Sequence, residues 1–260
     1  MKLLIVFTLL IFESGLIRVF AQTNSGVVNY TQFIRQDIDT SLYSETSMEL
    51  IFDKNQALFK RNLNIESKFH GNYSATNIIV PLSPKSKYGF VYRNFQANTI
   101  ACIENALTER IFMQDTIRSV EWQIGNERKK IGKFECIKAE VDYRGRHWVA
   151  WFAPEIAVSL GPWKLYGLPG LILEARSSTD KIRYSFESLQ IPALNNVIIE
   201  ALEPKSGQKI MNRSQFVKQF IINNENHIKM ESSKPQEFGT STITTKLSGI
   251  EFYPEMEGKK

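Results

Sequence analysis

Histidine and cysteine are scarce in this 260-residue chain: three of the first, two of the second. His70, His147 and His227 stand far apart. None lies at metal-ligand spacing to Cys102, Cys136 or another histidine, so no metal site is read from them. A Ser–His–Asp set can be assembled from Ser159, His147 and Asp142, but nothing in the spacing supports it. The chain has no G-x-S-x-G elbow, no H-E-x-x-H helix and no Gly-rich phosphate loop closing on Lys-Ser/Thr. His147 sits between Arg146 and Trp148 with Arg144 nearby, the composition of a solvated hairpin tip. Glu155 and Glu174 are a carboxylate pair of the type a hydrolase uses, although sequence sets no separation between them. The residues therefore nominate no catalytic group and no cofactor.

Cys102 and Cys136 have 33 residues between them. In an exporting pathway two cysteines invite one disulfide, which would contribute roughly 3–4 kcal/mol by chain-entropy reasoning. The other reading is two separate buried thiols. Both stay open at this level.

The most specific stretch is YGLPGLILEA, Tyr166 to Ala175, which is nearly free of reactive groups. Leu168-Pro169-Gly170-Leu171 fits a type II turn, with Pro at the second position and Gly at the third. Gly161-Pro162 marks a turn just upstream, and Trp163, Leu165 and Tyr166 offer large apolar anchors between the two. The segment reads as a corner, an apolar strap, a second corner and a strand. Either it is a bend at the rim of a sheet, or it is a backbone-exposed lip for a ligand or partner. The lip would be Trp163, Tyr166, Gly167, Leu168, Pro169 and Gly170, since glycine permits close approach.

The elements that must position these residues read as β. Met48, Leu50 and Phe52 alternate within SMELIFD, and NQALFKRNL follows as a hairpin partner. Gly89–Phe95 and Thr99–Glu104 pair around Ala97-Asn98, and Val27–Arg35 alternates weakly. Arg110–Gln114 and Val120–Ile124 are read as short strands. The strongest alternation is in IGKFECIKAEVDY, with Ile137, Ala139, Val141 and Tyr143 on one face and Cys136, Lys138, Glu140 and Asp142 on the other. Arg144-Gly145 turns the chain into RHWVAWF, which is apolar on both faces. Leu171–Ala175 and Ile182–Phe186 form a further pair. One helix is expected in SQFVKQFIINN, capped by Asn212 or Ser214, with Phe216, Phe220 and Ile221 on one face. A last strand is possible over Thr242–Phe252.

The amino terminus predicts the compartment. Met1-Lys2, the apolar run Leu3–Phe12 and Ala21 have the form of a secretory leader cut after residue 21. The run is shorter than the roughly 20 residues of a membrane span, and no later stretch is long enough. No cysteine follows it to accept a lipid. Loss of Lys2, Arg18 and Glu13 would take the formal charge from +5 to +4, without a basic block, which excludes a nucleic-acid reading.

The ordered series Trp122, Ile131-Gly132, FECIKA, Gly145-Arg146, AWF, Glu155-Ile156, Gly161-Pro162 and GLPGLI at 167–172 resembles the GLPGLI family of exported Bacteroidetes proteins. Ala157 departs from it, where the family places proline. The resemblance covers about a quarter of the exported chain and implies no established activity. Asn29, Asn72 and Asn212 begin N-x-S/T triplets, expected to be unmodified in a bacterial product.

The expectation is a leader at 1–21 and one β-rich domain over 22–260 with a polar tail from about residue 232. Its architecture would be a single antiparallel, strongly curved sheet or half barrel with a helix packed on it. Its function would be non-enzymatic binding in the periplasm or envelope, of an apolar ligand, a peptide or an outer-membrane partner. The alternative is a secreted hydrolase whose site is not recognisable from sequence.

Overall fold

A computed structural model describes residues 25–35, 42–71, 89–106, 109–193 and 198–232. The leader, the strand expected at Thr242–Phe252, the tail beyond residue 232 and Asn72 lie outside these residues. The strands are β1 (Ser25–Arg35), β2 (Tyr43–Asp53), β3 (Gln56–Arg61), β4 (Lys68–His70), β5 (Val91–Asn94), β6 (Thr99–Ala106) and β7 (Glu109–Thr116). They continue with β8 (Gln123–Ile131), β9 (Phe134–Tyr143), β10 (Arg146–Ala153), β11 (Leu171–Ser177), β12 (Ile182–Gln190) and β13 (Ile210–Met211). Among the described residues a single helix, α1 (Arg213–Ser232), follows.

All thirteen strands join one sheet in the order β13-β7-β6-β5-β3-β2-β1-β12-β11-β10-β9-β8, with β4 added on β2. The sheet is unclosed; β13 and β8 are its ends. Every pairing is antiparallel except β13 with β7. The chain therefore builds the sheet outward in two directions from β1, which pairs β2 on one side and β12 on the other.

Alternation explains most of these strands. In β1, Val28, Tyr30 and Gln32 are buried, and their neighbours Asn29, Thr31 and Phe33 are less so. The β9–β10 turn has Arg144 at φ 50 and Gly145 at φ 76, the two positive values of a type I′ hairpin. Two strand expectations need correction. Val120–Ile124 is not a strand: residues 117–122 are a connector, and the strand begins at Gln123. Cys136 does not lie on the face opposite Ala139 and Val141; all three are buried in one apolar cluster. It is fully buried, as is Phe134, so the buried positions of β9 change parity between Cys136 and Ala139. The partner strand β8 skips register over the same stretch, between Ile124 and Arg128.

The main apolar cluster covers one face across the sheet, from Ile100 and Met113 through Tyr30 and Leu50 to Trp148, Phe152 and Tyr184. A smaller cluster on the opposite face joins Ile51, Leu58, Tyr92 and Phe112 with Ile199 and Leu202. Helix α1 touches β6, β7 and β13, and inserts Phe216, Val217 and Phe220 into the main cluster. Its start is a reciprocal capping box: Gln215 N donates to Asn212 Oδ1 at 2.9 Å, and Asn212 N donates to Gln215 Oε1 at 2.9 Å.

Candidate functional site

The segment between β10 and β11, residues 154–170, crosses the face that carries the main cluster. It opens with short turns in which Val158 N donates to the Ile156 carbonyl at 2.7 Å and Leu160 N to the Val158 carbonyl at 2.8 Å. Ile156, Val158 and Leu160 are buried, and Glu155, Ala157 and Ser159 between them are exposed. The strap then returns on itself through a bridge between Leu160 and Tyr166. At the return, Leu165 N donates to the Pro162 carbonyl at 3.1 Å, and Trp163 holds φ 54, a left-handed conformation rare for a bulky residue. Packing holds Trp163 there. Its ring lies 5.4 Å from that of Trp148 on β10 and 6.4 Å from that of Tyr143 on β9.

The second corner differs from the type II turn expected of Leu168-Pro169-Gly170-Leu171. Gly170 N donates to the Leu168 carbonyl at 2.8 Å, which closes a three-residue turn centred on Pro169. Leu171 N donates instead to the Ile156 carbonyl at 3.1 Å, and Gly170 has φ 155. The glycine is required by close approach. A Cβ there would stand 2.4 Å from the Ala153 carbonyl oxygen and 2.9 Å from Pro154 Cα. Gly161 is a second such contact, since its Cβ would meet Ile172 Cβ at 2.8 Å.

Polar links tie the strap to distant strands. Arg93 Nη2 on β5 donates to the Trp163 carbonyl at 2.6 Å. Lys164 Nζ donates to Glu104 Oε1 on β6 at 2.9 Å, with the Lys164 side chain 1% exposed and Glu104 17%. Tyr30 on β1 donates through its hydroxyl to the Ile172 carbonyl at 2.8 Å. Tyr166 closes the strap onto the connector between β7 and β8: its hydroxyl donates to the Arg118 carbonyl and accepts Arg118 N–H, and Trp122 Nε1 donates to the Tyr166 carbonyl at 2.8 Å. That connector leads from one end of the sheet to the other.

Of the six residues read as a lip, Trp163, Leu168 and Gly170 are buried, Tyr166 is half-buried, and only Gly167 and Pro169 are exposed. The apolar anchors turn toward the sheet and leave the two backbone-rich positions at the surface. Cys102 and Cys136 are both buried. They lie on β6 and β9, separated along the sheet by β5, β3, β2, β1, β12, β11 and β10, and the structure holds them as two thiols, one of the two readings the sequence leaves open. Burial pushes the Cys136 thiol up to about 11.

The residues considered for catalysis do not converge. His147 Nδ1 lies 2.9 Å from Asp142 Oδ1 and Nε2 lies 3.5 Å from Glu140 Oε2, across the exposed β9–β10 hairpin. Ser159 makes no hydrogen bond to His147; its carbonyl accepts Gly167 N–H at 3.1 Å. Glu155 is exposed on the strap, and Glu174 is tied to Lys129 of β8. Among the described residues no group of three His, Cys, Asp or Glu side chains is placed to hold a metal ion.

Three residues of the site escape a motif reading: Arg93, Glu104 and Lys164. A signal for two of them exists. Arg93 shares the inward parity of Val91 in FVYRNF, and Lys164 interrupts the apolar run WKLYG. Arg93 and Lys164 are the charged side chains buried among the described residues. Burial lowers the pKa of Arg93 to about 10, against opposing contributions from Tyr143, Tyr166 and Tyr30.

Fold and site together define a mainly β protein whose one open sheet is crossed by its own motif-bearing strap. Residues 143–174, from the end of β9 through the strap to β11, match the model of a family described as a protein of unknown function (Porph_ging). No curated protein matches the chain. Among solved structures, PNGF-II in two crystal forms matches with 14% identity and a TM-score of 0.46, over 77% and 76% of this chain. The matches cover 34% and 33% of those chains, so this chain spans about a third of their length. A LolA superfamily protein, NE2245 from Nitrosomonas europaea, matches with 7% identity and a TM-score of 0.28, over 69% of this chain and 91% of that one. No helix among the described residues is long and apolar enough to cross a membrane.

Proposed function

We propose that this chain is an exported, non-enzymatic binding protein of the cell envelope, related to the GLPGLI proteins of Bacteroidetes. Its sheet curves around the strap, and the strap-crossed face takes an apolar ligand or an apolar segment of an outer-membrane partner. One observation carries this reading. The side chains packed between strap and sheet are aliphatic and aromatic, and the buried charges among the described residues are confined to Arg93 and Lys164. A hydrolytic site needs a nucleophile, a base and an oxyanion donor within hydrogen-bond reach of one another. Here the His147–Asp142 contact stands apart from Ser159 and points to solvent. Gly167 and Pro169, with half-buried Tyr166, form the exposed rim through which a ligand or partner would meet the strap.

The test is native mass spectrometry of the protein purified from the envelope fraction under mild conditions. A co-purified lipid or peptide that is released by organic solvent is the expected result. An empty protein that hydrolyses ester, peptide or glycoside probes, with loss of that activity in His147→Ala, would overturn the reading.

A further inference from the structure

Arg93 is a buried cation with unspent donors. It is 0% exposed, and only its Nη2 is bonded: to the Trp163 carbonyl at 2.6 Å, with the Leu165 carbonyl at 3.5 Å. Nε and Nη1 are buried and have no hydrogen-bond partner. The titratable groups that act on it are Tyr143, Tyr166, Tyr30 and a second arginine, Arg144, with no carboxylate among them. The ring of Tyr166 lies 5.3 Å from its Cζ. The contrast with Lys164 is instructive: that buried cation has its counter-charge in Glu104 at 2.9 Å.

A buried cation without an anion is unfavourable by several kcal/mol, and each unspent donor adds to the cost. Carbonyl dipoles and a ring face offset only part of this. Of the three tyrosine hydroxyls that act on it, that of Tyr143 accepts Arg144 Nε–H at 3.0 Å, and those of Tyr30 and Tyr166 are bonded to the Ile172 and Arg118 carbonyls. Burial raises the pKa of Tyr30 and Tyr166, so both stay neutral. Guanidinium is the side chain best matched to carboxylate oxygens, and its donors strengthen when the acceptor is ionised.

We propose that Arg93 is the recognition residue of an anion site under the strap, and that it takes a carboxylate on Nε and Nη1 while Nη2 keeps the Trp163 carbonyl. The inference deepens the binding reading above and rests on it in one respect: the carboxylate belongs to the polar end of an apolar ligand. A single-chain carboxylic amphiphile then fits, with its head at Arg93 and its tail along the aromatic and aliphatic face. The strap must yield to admit it. Trp163 and Trp148, with ring centres 5.4 Å apart beside the site, report that movement.

The test is thermal unfolding and tryptophan fluorescence of the purified full chain with three probes: sodium acetate, sodium dodecanoate below its micellar range, and methyl dodecanoate. Wild type is compared with Arg93→Met and Arg93→Lys. Near 100 times the dissociation constant, dodecanoate should raise Tm of the wild type by at least about 5 °C and change its fluorescence. Methyl dodecanoate should do neither. Arg93→Met should abolish the dodecanoate shift, and Arg93→Lys should weaken dodecanoate binding about tenfold or more. The lysine variant keeps the charge and so keeps the test open if the methionine variant fails to fold. Equal shifts from dodecanoate and its methyl ester, retained in Arg93→Lys, would overturn the anion site and leave the apolar reading standing. Shifts from acetate as large as those from dodecanoate, lost in Arg93→Lys, would support the anion site and overturn the apolar reading. No shift with any carboxylate would overturn the anion site outright.

Discussion

The strap and the β9–β10 hairpin divide the chain's resources in opposite ways. The hairpin collects His147, Asp142, Glu140, Arg144 and Arg146, the side chains that usually do chemistry, and presents His147 and Asp142 to solvent. The strap carries Leu, Pro, Gly and Trp, and its anchors are buried: Trp163 at 2%, Leu165 at 0% and Leu168 at 1% exposure. Both contain glycines with positive φ. In the hairpin, Gly145 satisfies a turn that any I′ sequence could make. In the strap, Gly170 lets two backbones touch. Sequence specificity in this protein is thus spent on close approach within the fold.

The largest effect should come from Gly170. With a Cβ at 2.4 Å from the Ala153 carbonyl oxygen, backbone meets backbone and neither can rotate away. Gly170→Val should cost more than about 3 kcal/mol, or abolish folding, as read by denaturant titration. Gly145→Ala serves as the control. It adds left-handed strain at φ 76 and should cost about 1 kcal/mol. Equal costs at the two positions would break the contrast between strap and hairpin.

The buried pair of Lys164 and Glu104 should rank next. Lys164→Met leaves Glu104 facing an apolar wall and should cost about 3 kcal/mol. The double variant Lys164→Met/Glu104→Leu should recover most of that loss, because burying two apolar side chains is close to neutral with respect to a buried pair. A double variant as unstable as the single one would show that Lys164 acts through packing alone. Thiol chemistry sharpens the same picture. Burial keeps Cys136 protonated at pH 8, so both thiols should resist a disulfide reagent in the native protein and titrate as two equivalents in denaturant. Zero equivalents in denaturant would restore the disulfide.

These residues also show what could be read in advance. Alternation sufficed for β1, β2 and β12, because a half-buried strand has to alternate. It failed for β8, whose residues from Gln123 to Lys130 are nearly all exposed. A polar edge strand carries no apolar pattern, and its lysines serve to protect an open edge. Cys136 was assigned to the wrong face because the register skip opposite it is a property of the pair, not of β9. The motif announced a corner at Pro169-Gly170 and the anchoring by Trp163. It did not announce the kind of turn, because the hydrogen bond that decides it comes from Ile156, fifteen positions from Leu171. Arg93 was the quietest. A single arginine on an apolar parity reads as an exposed residue until the strap that covers it is in place.

The hairpin should yield the smallest effects, and pH is the means of resolving them. His147→Ala removes contacts to two exposed carboxylates and should change stability by less than about 1 kcal/mol. Beneath it, Lys138 bonds Glu127 at 2.6 Å and Glu140 at 2.9 Å. Those bonds hold the Glu140 carboxyl below the ordinary carboxylate range and raise the Lys138 ammonium above its own. The signs follow. A depressed Glu140 contributes stability above its unfolded pKa and loses it as pH falls through the folded value. A raised Lys138 contributes below its unfolded pKa and loses it as pH rises through the folded value. Between about pH 5 and pH 9 both contributions are constant. Glu140→Gln should therefore lower Tm by a small amount at neutral pH, and the deficit should vanish below about pH 3. A deficit that persists in acid would mean that the side chain acts by packing. A deficit at neutral pH as large as that of Lys164→Met would mean that the hairpin, like the strap, is a structural clasp, and the division between the two regions would fall.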